Sequence, residues 1–302
     1  MAELNYAELY QKTLEQKFSK ELMFVELYNS PNNSRIRFTN AKTIQIPRID
    51  VTGMTDTNRD AITGFTRKVD NDWETKTLDH DREFSTFIDP MDVDETNDAV
   101  TIANTTRVFN EEQKIPEMDK YMASKLYAEA TGFGVTPVTT ALSEANALQI
   151  FDQMMEDMDE AEVPAEGRIL YVTPVTYTIL KNAEKLERTI QVQANNGAIN
   201  RSVRSLDDVQ LKRVPSSRMK TVYDFTVGAV ADDEADQINM ILVHPRAVLS
   251  PMKYEQVLLG EPSALSKGKR TYYERSYWDV FVFERKAPAV AFHTTPSAEE
   301  EE

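Results

Sequence analysis

A long polar stretch between residues 53 and 78 constrains the fold more than any other part of the sequence. Its first half is rich in Thr and Asp, and its second half has the composition of an exposed β-strand. The apolar residues of that strand are Phe65, Val69, Trp73 and Leu78. They are too sparse to bury a face, and a hairpin without a buried face is marginal in water. We therefore expect this hairpin to lie on another surface.

Residues 4–28 are predicted to form a helix. Leu14, Phe18, Leu22 and Val25 recur at spacings of a helical face. The following residues, 29–34, are Pro, Asn and Ser, which favour a turn. A lone helix of this length is marginal in water, so we expect an N-terminal arm that docks on a partner surface.

The remaining pattern predicts an α+β fold. β-forming residues dominate from residue 35 to residue 108, and no regular alternation of strands and helices follows. Helices are predicted at 116–131, 143–161 and 174–186, and strands at 168–173, 209–214, 238–243 and 278–283. Pro116 is expected to begin the first of these helices and Gly132 to cap its C-terminus. The acidic end, residues 299–302, is predicted to be a solvated tail.

Composition excludes several classes of function. The chain has no cysteine, which rules out disulfides, thiolate catalysis, zinc fingers and iron–sulfur ligation. Its 34 Lys and Arg stand against 50 Asp and Glu, a formal net charge of −16, so direct binding of duplex nucleic acid is not expected. No apolar run approaches the ~18 residues of a membrane span. The N-terminus has no basic and apolar secretory signal, so none is expected.

Two acidic segments are weighed as metal or catalytic sites. Residues 89–95 hold four carboxylates but lack the glycine and distal glutamate of a calcium loop, so a solvated acidic loop is the favoured interpretation. His80 lies between two aspartates, which resembles half of a metal site or catalytic triad. Because the other histidines, His244 and His293, are distant in sequence, a plain surface histidine is favoured. No Gly-x-Ser-x-Gly or phosphate-loop motif occurs. We predict no catalytic residue, no metal site and no cofactor.

Charge is segregated along the chain. Residues 152–166 contain seven acidic side chains and no basic ones, whereas residues 181–220 contain nine basic and four acidic ones. Residues 70–98 contain eleven acidic and two basic side chains. These could be ordinary solvated faces, or complementary patches that meet between copies of the chain. Together with the hairpin and the arm, they favour self-assembly.

Several short segments then point to one family. They are residues 73–82, 84–96, 115–126, 163–174, 199–203, 214–218 and 275–286, in this order along the chain. These segments resemble the tailed-phage major capsid proteins of the Hong Kong 97 type, and the resemblance spans roughly residues 41–290. Trp278 and the Glu-Arg-Lys run at 284–286 depart from the commonest pattern of the last segment.

The resemblance implies a Hong Kong 97-like capsid fold with defined parts. Residues 1–33 would be the N-terminal arm. Residues 34–135 would hold the extended loop, at about 42–86, and the peripheral domain with its spine helix. Residues 136–260 would be the axial domain, 261–292 would return to the peripheral domain, and 293–302 would be the acidic tail. The extended loop would overlie a neighbouring subunit.

The implied function is structural. The chain would be a major capsid protein that assembles in the host cytoplasm, as pentamers and hexamers, into the icosahedral shell of a virion. Double-stranded DNA would be a partner only because the shell encloses it. A portal and a separate scaffolding protein would be further partners, and no membrane would be involved. Two alternatives stay open: an encapsulin-type nanocompartment shell protein, which shares the fold, and a metal-dependent enzyme that uses His80 and residues 89–95.

Ten residues are predicted to make the contacts between copies. Phe18 and Leu22 would dock the arm, and Arg59, Arg67, Lys68 and Trp73 would act from the hairpin. Asp159 and Glu160 lie on the acidic helix, and Arg201 and Arg204 lie in the basic stretch that we expect to face it on the next copy.

Overall fold

The computed structural model describes residues 21–35, 38, 42–54, 68–95, 101–183 and 205–296. Within these residues the helices are α1 (Val25–Tyr28), α2 (Pro90–Glu95), α3 (Ile102–Phe109), α4 (Ile115–Gly132), α5 (Ala147–Glu160) and α6 (Pro174–Asn182). The strands are β1 (Thr43–Val51), β2 (Val69–Thr77), β3 (His80–Ile88), β4 (Ile169–Val172), β5 (Ser205–Leu206), β6 (Val209–Arg213), β7 (Tyr223–Asp224), β8 (Val230–Ala231), β9 (Gln237–Val243), β10 (Val248–Leu249), β11 (Met252–Gly260), β12 (Arg270–Trp278), β13 (Phe281–Val282) and β14 (Val290–Thr295). The predicted α+β class is confirmed.

A five-stranded sheet with the order β14-β9-β4-β6-β5 forms the centre of the molecule. Strand β4 runs parallel to β6 and antiparallel to β9. All four residues of β4 are buried because the sheet is covered on both faces. Leu170 and Val172 pack with α5 and α6, whereas Ile169 and Tyr171 pack with α4 and α1. The strands predicted at 168–173, 209–214 and 238–243 are thereby confirmed to within about a residue or two.

Helix α5 buries the face that its sequence predicts. The residues that pack on the sheet are Ala147, Ile150, Phe151, Met154 and Met158. They recur at spacings of three and four, which places them on one side of a helix. The opposite side keeps its carboxylates in solvent, so the predicted acidic face is confirmed.

Helix α4 begins at Ile115 with Pro116 in its first turn, within one residue of the predicted start. The sequence did not predict that α3 and a π-helical turn at Asn110–Lys114 lead directly into it. Proline lacks an N–H and crowds the carbonyl four residues before it, so a continuous α-helix cannot pass this point unchanged. A π-turn absorbs that conflict. Helix α4 ends at Gly132, but the glycine with the left-handed conformation is Gly134, with φ of 89°.

A three-stranded antiparallel sheet with the order β11-β12-β3 lies beside this helix. The sequence placed a strand at 278–283, but β12 ends at Trp278 and β13 is only Phe281–Val282. Asp279 turns the chain between them, and its buried carboxylate accepts hydrogen bonds from Tyr121 Oη (2.7 Å) and the Val280 N–H (2.7 Å). The single strand predicted at 278–283 is therefore wrong, and the apolar residues after Asp279 form a separate short strand.

Candidate assembly surfaces

Strands β1 and β2 form a hairpin whose first strand lies before residues 53–78, the stretch in which the sequence placed the hairpin. They pair antiparallel over nine residues, from Thr43 opposite Thr77 to Val51 opposite Val69. Because side chains alternate along a strand, the hairpin has two faces. Ile44 lies at the base of the inner face and packs with the buried side chains of Leu78, Leu249, Tyr277 and Phe281.

Ion pairs attach the rest of the inner face to the body. Arg48 Nη2 lies 2.8 Å from Glu74 Oε2 and also bonds Glu284, and Arg285 Nη2 lies 2.6 Å from Asp50 Oδ2. The hydrogen bond from Arg48 lowers the pKa of Glu284, and the hydrogen bond from Arg285 lowers the pKa of Asp50. Charge, and not apolar packing, therefore holds the distal part of the hairpin.

Lys76 connects the hairpin to helix α4. Its Nζ lies 3.0 Å from Glu129 Oε2 and 3.3 Å from Glu74 Oε1. The same ammonium lies 4.6 Å from the centroid of the Phe133 ring, a cation–π contact. The side chain is thus held between three groups of its own subunit.

The outer face of the hairpin carries a strip of exposed apolar side chains, which we call the apolar strip. It consists of Pro47, Ile49, Val51, Val69 and Trp73. Ile49 is 64% exposed, Val51 68% and Trp73 54%, and Pro47 lies directly opposite Trp73. The sequence pattern counted the apolar residues of β2 alone and missed the three that β1 adds. Clustered apolar side chains of this kind mark contact surfaces.

Lys68 lies at the far end of β2, next to the apolar strip. Its side chain is exposed, and its carbonyl oxygen accepts a hydrogen bond from the Thr52 N–H at 3.0 Å. The structure thus places two predicted contact residues, Lys68 and Trp73, on the same exposed hairpin.

Residues 21–24 are fixed to the body through one buried carboxylate. Asp119 Oδ1 accepts hydrogen bonds from the Met23 N–H (3.0 Å) and the Phe24 N–H (3.2 Å). Arg218 Nη1 donates to Asp119 Oδ2 at 2.5 Å and to the Glu21 carbonyl at 2.8 Å. Burial raises the pKa of Asp119, while Arg218 and the two N–H groups act in the opposite direction. We call this group the arm junction.

The predicted docking face of the arm is partly wrong. Of the predicted helix, the structure describes residues 21–28, and these contain one turn of helix, α1, and not a helix continuing through residue 28 from Leu22. Val25 is 40% exposed and Leu22 is half-buried, whereas Phe24 and Leu27 are fully buried. The turn at residues 23–24 shifts the buried side chains by about two positions from those of a continuous helix.

One acidic residue of α5 already has a partner in its own chain. Arg168 is fully buried, and its Nη2 lies 2.6 Å from Asp159 Oδ1 while its Nε donates to the Pro164 carbonyl at 3.0 Å. Asp159 therefore fixes the loop after α5 as well as facing solvent. Glu160 is exposed beside it.

His80 is not the surface histidine that the sequence predicted. It is only 6% exposed, its ring stacks on Tyr121 with centroids 3.8 Å apart, and Trp278 meets it edge-on at 4.6 Å. Burial lowers the pKa of His80 to about 3. Its Nε2 has no hydrogen-bond partner among the described residues, and Glu117 Oε1 lies 3.9 Å away. The strand β3, which the sequence did not predict, carries the ring inward.

The acidic segment at 89–95 forms the short helix α2 instead of a loop. The Met91 N–H donates to Asp89 Oδ1 at 3.1 Å, and Lys269 Nζ lies 3.9 Å from Asp89 Oδ2. Across the part of the chain that the structure describes, no group of three or more His, Asp or Glu side chains is placed to hold a metal ion. Among the described helices, none has both the length and the apolarity to cross a membrane.

Five of the ten predicted contact residues lie outside the described residues. They are Phe18, Arg59, Arg67, Arg201 and Arg204. The pairing of the basic stretch with the acidic face of α5 therefore stays a prediction.

Three solved phage structures are similar to this chain along nearly its whole length. The structure from Mycobacterium phage Che8 has 14% sequence identity and a TM-score of 0.67, and the match covers 95% of this chain and 96% of that one. The mature capsid of bacteriophage PhiM1 has 13% identity and a TM-score of 0.68, covering 98% and 93%. The capsid of cyanophage P-SCSP1u has 12% identity and a TM-score of 0.66, covering 97% and 93%. No protein-family model matches the sequence, and no curated protein matches it either.

Proposed function

We propose that this chain, which has the fold of these phage capsid proteins, is the major capsid protein of a tailed phage. It would assemble with copies of itself into the icosahedral shell of the virion, around double-stranded DNA. The observation that carries the proposal is that each match covers nearly all of both chains. The matched phage chains and this chain align almost end to end, so the likeness extends well beyond the central sheet.

The surfaces of the molecule support a role in association, not in catalysis. The apolar strip on the hairpin gains a partner if it lies on the adjacent subunit, which is what the resemblance to the Hong Kong 97 type implies. The arm junction would then fix the point from which the N-terminal arm leaves the body.

We also propose the partition into the parts of that capsid type. The five-stranded sheet with α5 and α6 would form the axial domain, and the three-stranded sheet with α4 would form the peripheral domain. The acidic face of α5 would meet the basic stretch near Arg201 and Arg204 on the next copy in a ring. Opposite charges there would fix how neighbouring subunits align more than they would strengthen their association. A net charge of −16 suits a container, since an acidic wall does not trap packaged DNA.

A portal and a separate scaffolding protein are proposed as further partners. Both are partners that the resemblance to the Hong Kong 97 type implies. A shell that packages DNA needs an opening, which a portal would supply at one vertex.

Electron microscopy of the purified full-length chain tests the proposal. We expect icosahedral shells, tubes or capsomer rings, with or without a scaffolding protein. A chain that stays monomeric at high concentration in both settings would contradict it. Closed particles with identical vertices and a protein cargo would instead favour the nanocompartment alternative.

A further inference from the structure

Among the described residues, strand β11 is an open sheet edge, and from Gln256 onward it lacks the usual protection. It is paired with β12 on one side, and within the described residues no backbone hydrogen bond reaches Met252–Gly260 from any other segment. Unpaired edges of this length attract other strands, and proteins normally protect them with charges, prolines or bulges. The single irregularity of β11 lies at its start, between Met252 and Tyr254.

The exposed side chains of β11 are largely apolar. They include Met252 (47% exposed), Tyr254 (41%), Val257 (51%), Leu258 (49%) and Leu259 (65%). Of its two charged residues, Glu255 lies 3.3 Å from Lys114 of its own chain and Lys253 lies over the Phe38 ring. From Gln256 onward the strand has no charge at all.

The other edge of the same sheet, strand β3, is built differently. Its first residues are His80, Asp81, Arg82 and Glu83, and the side chains of Asp81 and Glu83 are exposed. Asp81 pairs with Arg275 and Arg82 with Glu117 of the same chain. After Glu83 the β3 edge is uncharged too, but its exposed and less exposed side chains alternate, whereas β11 has three consecutive exposed apolar residues, Val257, Leu258 and Leu259.

We propose that β11 pairs antiparallel with β11 of a second copy, across a two-fold axis near Gln256, and joins two three-stranded sheets into one. A two-fold contact requires the same surface on both copies, and an antiparallel strand pair is self-complementary by construction. The proposal rests on the proposed function, because a closed icosahedral shell contains two-fold contacts between neighbouring capsomers.

The side chains fit this register. An axis at Gln256 places Tyr254 opposite the partner's Leu258, and Glu255 opposite the partner's Val257. Aromatic–aliphatic pairs across strands are favourable, and no like charges meet. An axis at Lys253 or Glu255 would place like charges directly opposite each other, which destabilises a strand pair.

Single cysteines test the pairing, because the chain contains none of its own. Residues directly opposite in an antiparallel pair have Cβ atoms about 4.5–5.5 Å apart, close to what a disulfide bridges. In the full-length chain, mild oxidation of Gln256→Cys should give disulfide-linked dimers. Tyr254→Cys and Leu258→Cys should link poorly alone and efficiently when the two variants are mixed before assembly.

A second pair of variants tests the same contact without cysteine. Leu258→Lys adds a charge to the open edge at a half-exposed position, so the subunit should keep its thermal stability but stop at capsomers. Leu265→Lys is the matched control, because that leucine is 98% exposed in the turn between β11 and β12. The control should assemble like the unmodified chain.

The outcomes separate this proposal from the proposed function. Shells that form from Leu258→Lys, together with no covalent dimer from any of the three cysteine variants, would overturn the β11 pairing and leave the capsid function intact. A chain that forms no assembly of any kind would overturn both. Linking of β11 to a different polypeptide, and not to a second copy, would also overturn the pairing.

Discussion

The arm junction and the hairpin both attach a peripheral segment to the body, but by opposite means. The arm junction buries one carboxylate completely and satisfies it with Arg218 and two backbone N–H groups. The hairpin is held by ion pairs whose members are 19–59% exposed, and it turns an apolar strip outward. Buried polar groups are costly to disrupt, whereas exposed ion pairs are not. The junction therefore belongs to the fold of the subunit, and the hairpin is the part that we propose contacts a neighbour.

Removing the buried carboxylate should have the largest effect. Asp119→Ala leaves the guanidinium of Arg218 buried without its partner, and loss of one member of a buried pair costs about 3–5 kcal/mol. We expect the free energy of unfolding, measured by urea titration of the free subunit, to fall by that amount. Asp94→Ala in α2, where the carboxylate is exposed, is the control and should change little. A loss from Asp119→Ala as small as the control's would refute the assigned role of the junction.

A matched pair of substitutions on β1 separates the two faces of the hairpin. Ile44 is 2% exposed and Ile49 is 64% exposed, so Ile→Ala removes the same atoms from opposite environments. We expect Ile44→Ala to cost about 2–5 kcal/mol of stability. Ile49→Ala should stay within about 0.5 kcal/mol of the unmodified chain but reduce shell formation.

Chemical denaturation and electron microscopy of both variants check this pair. Normal assembly of Ile49→Ala, together with a fully protease-resistant hairpin in free subunits, would show that the apolar strip has no partner on another copy.

The buried histidine should make stability depend on pH. The pKa of His80 is about 3 in the folded chain and ~6.5 when unfolded, so between these values the unfolded chain binds more protons. Stability is therefore lost as pH falls below about 6.5, by about 1.4 kcal/mol per pH unit, or about 2 kcal/mol at pH 5.

His80→Phe isolates that contribution. Phenylalanine keeps the contact with Tyr121 and removes the Nε2 atom that has no hydrogen-bond partner among the described residues. Burial also lowers the pKa values of His244 and His293, so the difference between variant and unmodified chain is the quantity to measure. Parallel curves of stability against pH would contradict the assignment.

The elements that the sequence predicted are those whose apolar residues follow a regular pattern. Helix α5 and strand β4 were predicted because their apolar residues recur with the period of the element or fill it completely. Strands β3 and β11 were missed because their faces are mixed, with charges that pair to residues far along the chain. A local pattern contains no information about such partners.

The same reason explains the errors at the candidate sites. Asp119 has the sequence context of a surface acid on a helix, and its partner Arg218 lies 99 positions away. His80 lies between two aspartates, and nothing local indicates that Tyr121 and Trp278 enclose it. The apolar strip needed β1 and β2 to be seen side by side. Trp73 and Lys68 were placed on the hairpin correctly because their exposure follows from the local excess of polar residues.

The smallest effect is expected at the distal ion pair of the hairpin. Arg285→Gln removes the cation beside Asp50, but both side chains are more than half exposed, so the free energy of unfolding should not change measurably. What should change is local opening of the hairpin, because few apolar contacts hold its distal part. Limited proteolysis of free subunits should therefore show faster cleavage between β1 and β2.

Added salt should produce the same acceleration in the unmodified chain, since screening acts over about 10 Å at ~0.1 M. Because Arg285 lowers the pKa of Asp50, the attachment weakens as pH falls through that lowered value, and the variant should lack this acid response.

Lys267→Gln, in the turn between β11 and β12, removes the same charge far from the hairpin in sequence and is the control. If cleavage is equally fast in Arg285→Gln, in the control and in the unmodified chain at every salt concentration, the ion pair does not hold the hairpin, and its position depends on the buried base around Ile44 alone.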